Sequence, residues 1–179
     1  MPASPLELFR DWHDFYVLAG TASATLAGLM FVAASIGSSI FSEEQRAATN
    51  AFLTPTVMHF AAVLLASLVV TIPAQSWITL GGLLGGGALA GATYSGRLTV
   101  QLIIRHGFNV DLTDRLFYAV MPFLGYLIAL VSAVLLFMRS PASADLIAAA
   151  LLILLVAAIR NAWDMMVWIM IRVPTSKGP

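Results

Sequence analysis

Cysteine is absent from the 179 residues. That removes disulfides, thiolate zinc sites and cysteine nucleophiles in one step. Charge is scarce as well. Asp, Glu, Lys and Arg make up 10% of the chain, against roughly 25% in soluble domains. Nine basic and nine acidic residues cancel, so no basic face invites nucleic acid. No internal repeat, low-complexity tail or long linker separates domains. The mixed-charge residues before the first apolar run, and the length of that run, do not match a cleavable signal peptide.

What is present is apolar. Hydrophobic residues are 60% of the chain, and the mean hydropathy is +0.91. The expected fold class is all-α: a single transmembrane domain of five helices spanning about 15–41, 51–72, 77–104, 115–138 and 144–171. A short interfacial helix over 4–14 precedes them. Ser4 caps that helix, Pro5 suits its first position and Glu7 completes a capping box. Leu6, Phe9, Trp12 and Tyr16 recur at helical spacing. Ser42-Glu43-Glu44-Gln45 is a second capping box, and Asn109 to Asp114 reads as a polar loop. Pro55 lies in the first turns of the second span and should kink it; Pro122 lies near the start of the fourth.

Two spans are rich in small residues. Gly20, Ala24 and Gly28 fall at four-residue spacing on the first, and Gly82 and Gly86 do so on the third. Such faces let helices approach closely. They are expected to pack helices together and to support self-association, with the first span central in the bundle or at a subunit contact.

Five spans put the termini on opposite sides. Arg46, Arg105, Arg115, Arg172 and Lys177 share one side; Arg10 and Arg139 lie on the other. The positive-inside bias therefore predicts a cytoplasmic C-terminus and an N-terminus outside.

Ionisable groups inside apolar spans are costly and normally face protein or a water-filled cavity. Arg160 and Asp164, four apart on the fifth span, share a helix face. Counting from the expected cytoplasmic helix ends puts His59, Arg97 and Asp164 at one depth. Gln101 belongs to the same layer, with Arg160 and Asn161 about a turn deeper. The outer half of the bundle is apolar. Three readings of this layer stay open. Arg160 or Arg97 pairs with Asp164 as a structural ion pair; the groups line a permeation path; or they form a docking surface in a larger membrane complex.

Chemistry at the layer is not expected. An aspartyl protease needs two carboxylates at one site, and only Asp164 lies clearly within a span. A bis-histidine haem needs a second imidazole near His59, but His13 and His106 lie toward opposite faces. Met165, Met166 and Met170, without Cys or paired His, read as packing rather than a soft-metal site. No cofactor or metal is expected, and the chain does not read as an enzyme.

Four stretches carry a family resemblance: Asp11-Trp12-His13-Asp14-Phe15-Tyr16; Gly20-Thr21-Ala22 with Leu29-Met30-Phe31-Val32-Ala33; Phe52-Leu53-Thr54-Pro55-Thr56; and Ile159-Arg160-Asn161-Ala162-Trp163-Asp164. Together they resemble an uncharacterised family of small multi-pass bacterial inner-membrane proteins. The resemblance implies that membrane as the location and brings no activity. The expected function is a homo-oligomeric membrane protein with a polar cytoplasmic-side vestibule, channel- or transporter-like in character. The alternative is an accessory or scaffold subunit in which the same charges hold helices together.

Overall fold

The structure, a computed structural model, describes residues 4–38, 43–73, 75–105 and 116–172, and the side chains of all of these but 36–38, 43–52, 101–105 and 168–172. The Ser42 capping box, the 109–114 loop, His106, and the side chains of Arg46, Arg105, Arg115, Arg172 and Lys177 lie outside that set.

Among the described residues the chain is helical throughout. A short helix α1 (Pro5–Phe9) passes through a tight turn into α2 (His13–Ser38). Then follow α3 (Glu43–Thr71), α4 (Trp77–Arg105), α5 (Met121–Phe137) and α6 (Ala142–Arg172). Four stretches are long and apolar enough to cross a membrane: 5–35, 53–71, 116–137 and 142–167. These are the helices of a multi-pass membrane protein. Helix α4 is equally long at 29 residues, but its glycines, neither apolar nor polar, dilute its hydropathy.

The start of the chain follows its sequence. Ser4 Oγ accepts from the Glu7 amide at 3.2 Å, and Pro5 sits in the first turn, where its missing N–H costs nothing. Phe9 and Tyr16 are buried against each other, ring centroids 5.7 Å apart. Tyr16 donates to the Ala144 carbonyl and so ties the start of α2 to the start of α6.

The hub of the bundle is α6, which packs on α2, α3 and α5; half of its apolar window is buried, against 22% for the first apolar stretch. The small-residue helix α2 is therefore peripheral in the chain. Its contact stripe is Tyr16, Ala19, Gly20, Ser23 and Met30, all buried. This is a seven-residue repeat. Four-residue steps drift about 40° each around a helix of 3.6 residues per turn, which carries Ala24 and Gly28 to the exposed side. Gly20 does pack, with its α-carbon face on Ser67 of α3, and Ser23 donates to the Phe60 carbonyl at 2.7 Å.

Helix α4 divides its glycines in the same way. Gly81, Gly85, Gly91 and Gly96 lie against Phe137, Ala133, Tyr126 and Phe123 of α5. Gly82 and Gly86 are exposed, with open space where a side chain would be. Packing inside the chain therefore falls to the neighbouring stripe, and Gly82 and Gly86 take no part in it among the described residues.

A reversal at Arg139 joins α5 to α6. Arg139 takes φ 54°, its amide bonds the Leu136 carbonyl and the Ser140 amide bonds the Leu135 carbonyl. This is a Schellman ending with an arginine in the left-handed position that usually selects glycine.

Candidate functional site

The buried polar residues are set by two proline-bearing helices. Before α5 the chain makes one turn of π-helix, Leu116–Val120, and Pro122 follows in the first turn of α5. In a π-turn each amide bonds the carbonyl five residues back. Residue 122 has no N–H, so it cannot donate to the Phe117 carbonyl five residues back. Asn161 of α6, fully buried, supplies one: its Nδ2 lies 3.2 Å from that oxygen. Tyr118 returns a bond to the Asn161 carbonyl at 3.2 Å, and Thr99 of α4 donates to the Ala119 carbonyl. The irregular turn is thus held by α4 on one side and α6 on the other.

His59, one turn beyond Pro55 on α3, is also fully buried. Its Nδ1 lies 3.0 Å from the Tyr126 hydroxyl of α5. Its Nε2 has no hydrogen-bond partner among the described residues. Tyr126 itself lies on Gly91, where any side chain would overlap the ring.

The expected single polar layer is two levels. Leu154 packs on Gly125, beside the Tyr126 that binds His59. Asn161 lies seven residues further along α6, ~10 Å at 1.5 Å per residue. The reason is the length of α3. It begins at Glu43, not near residue 51, so His59 lies two turns deeper in its helix than the sequence suggests.

The charged residues sit elsewhere. Asp164 pairs with Arg160, and their side chains are 29% and 37% exposed. The Arg160 guanidinium also lies 5.9 Å from the centre of the Phe117 ring, at the outer limit for a cation–π contact. Arg97 is exposed on α4; the ion pair is Arg160–Asp164, not Arg97–Asp164. Gln101 lies on α4 with its side chain outside the described residues. Between α2, α3 and α6 the interior is closed by Met30, Phe60, Ala158 and Met165.

The structure therefore brings Asn161 together with a broken turn, and His59 together with Tyr126. It leaves Arg97 exposed on α4 and the Arg160–Asp164 pair half-buried on α6. Tyr118 and Tyr126 were missed in the sequence, where each reads as an ordinary aromatic of an apolar span. Their only signal was position, four residues before and four after Pro122.

No family model, curated protein or solved structure matches this chain. The reading of the site rests on the residues themselves.

Proposed function

We propose that the protein is a homo-oligomer of the bacterial inner membrane with channel- or transporter-like character, its polar vestibule formed between subunits at the end where α4 and α6 finish. The observation that carries this reading is the exposure of Arg97 and the partial exposure of the Arg160–Asp164 pair, beside an interior filled by apolar side chains. Charges facing acyl chains are expensive. A second subunit laid against such positions turns them inward. Ala24, Gly28, Gly82 and Gly86, all exposed, offer the close-approach surfaces such an assembly needs. The five-to-two division of basic residues puts the vestibule on the cytoplasmic side.

The second reading is an accessory or scaffold subunit. It is favoured by Asn161, whose side-chain amide is spent on a main-chain carbonyl rather than offered to a path.

Ion flux into liposomes, measured for the wild type and for Asp164→Asn alongside the oligomeric mass of each, tests the proposal. A multimer whose flux changes with Asp164→Asn supports it. A multimer without flux supports the scaffold reading. A monomer without flux contradicts both the assembly and the path.

A further inference from the structure

Helices α3 and α4 touch only lightly, and between them runs a slot of about 410 Å³ floored by α5 and α6. On α3 it extends from Met58 to Val69 and on α4 from Leu83 to Tyr94. Eleven steps of ~1.5 Å on each helix give a length of ~16 Å. All of its lining residues are uncharged, and the only hydroxyls among them belong to Tyr94 and Tyr126. Both tyrosines lie at one end. A volume of this size, apolar with a few convergent polar groups, is that of a small-molecule site.

The lining defines the occupant: apolar along its length with hydroxyls at one end, it suits a single extended hydrocarbon chain with a compact polar head.

The polar end defines the head. His59 Nδ1 and the Tyr126 hydroxyl share one proton contact at 3.0 Å, and Nε2 is buried without a partner. An orphaned buried N–H is the costlier defect; a bare acceptor is better tolerated. The favoured tautomer therefore carries its proton on Nδ1 and donates to Tyr126, which leaves the tyrosine O–H free to donate. The head must accept a hydrogen bond. It must also be neutral, because no charged side chain lines the slot. Finally, it must sit mid-membrane: Gly91, against Tyr126, is fourteen residues from either end of α4. A phospholipid's ester and headgroup stay near the interface, ~15 Å from the midplane of a ~30 Å core.

We propose that this slot binds a neutral lipid with a carbonyl head, a quinone of the membrane pool, with its tail along Leu83 and Val69 and a ring carbonyl accepting from Tyr126. The site is independent of the oligomer reading.

Saturable binding of a radiolabelled decyl-substituted benzoquinone to the protein in nanodiscs, corrected for empty nanodiscs, tests it. Decylbenzene, which has the tail and ring but no carbonyl, should compete poorly with the wild type. Tyr126→Phe should weaken quinone binding by about three- to tenfold, the weight of one neutral hydrogen bond, and should make the two compounds equivalent. Since that change also strips a partner from His59, a second pair of variants tests the slot alone. Gly87 has open space around it and lines the slot, whereas Leu89, exposed two residues on, does not line it. Gly87→Leu should abolish saturable binding and Leu89→Phe should leave it unchanged. Absence of saturable binding, equal competition by decylbenzene in the wild type, or retention of binding in Gly87→Leu would overturn the proposal.

Discussion

The side-chain amide of Asn161 stands where the backbone N–H of residue 122 would be if that residue were not proline. It donates to the Phe117 carbonyl at 3.2 Å, and the π-turn 116–120 ends at the residue before Pro122's own turn. Hydrogen bonds between helices in membranes average about 0.6 kcal/mol, because separated helices find other partners. The Phe117 carbonyl is different: Pro122 cannot give it the amide that a continued π-turn would, whether or not α6 is docked. Asn161→Ala should therefore cost about 1–2 kcal/mol in reversible unfolding, nearer the penalty for an unsatisfied buried carbonyl. Restoring the donor with Pro122→Ala should shrink that penalty. A double-mutant cycle with no coupling between positions 122 and 161 would show that Asn161 acts otherwise.

The two glycine stripes of α4 should respond in opposite ways. A methyl at Gly91 overlaps the Tyr126 ring, and that ring is anchored by its bond to buried His59, so it cannot swing away freely. Gly91→Ala should destabilise by about 1–3 kcal/mol, the range for an overfilled core. Gly82→Ala and Gly86→Ala meet nothing within the chain and should be neutral to slightly stabilising in the isolated protomer, since alanine is the better helix former. Thermal unfolding of the three variants in detergent measures this order directly.

At the α5–α6 reversal an arginine occupies a left-handed conformation, φ 54°. That conformation costs a side-chain-bearing residue about 1 kcal/mol relative to glycine. Arg139→Gly should raise stability by about that amount, measured as resistance to unfolding in mixed micelles. A loss of stability would mean that the arginine side chain makes a contribution larger than its backbone strain.

Much of the fold was legible because it follows from composition and spacing. Long apolar runs broken by proline and short polar links give the helices, and Ser4-Pro5-Leu6-Glu7 gives the first cap. The packing was less legible. Gly81 and Gly85 have the same four-residue spacing as Gly82 and Gly86, so spacing alone cannot say which stripe meets α5. The depth of His59 was misplaced because it was counted from a helix start near residue 51, whereas a run of polar residues from Glu43 continues the same helix. The partners of the buried groups were hidden for another reason. A tyrosine in an apolar span reveals nothing of what its hydroxyl reaches, and the carbonyl that Pro122 cannot serve becomes visible only when the turn before it is seen to be π. Asn161 could be recognised as costly in its span, but not as the replacement for a missing amide.

The central claim is that the exposed charges and glycines are covered by another copy of this chain. The natural sequence has no cysteine, so a single introduced thiol reports without background. Gly28→Cys and Gly86→Cys, cross-linked oxidatively in native membranes, should each give a covalent dimer, while Leu18→Cys at an exposed position away from both glycine stripes should not. Monomer at Gly28→Cys and Gly86→Cys alike, under conditions that oxidise a control thiol pair, would contradict the account.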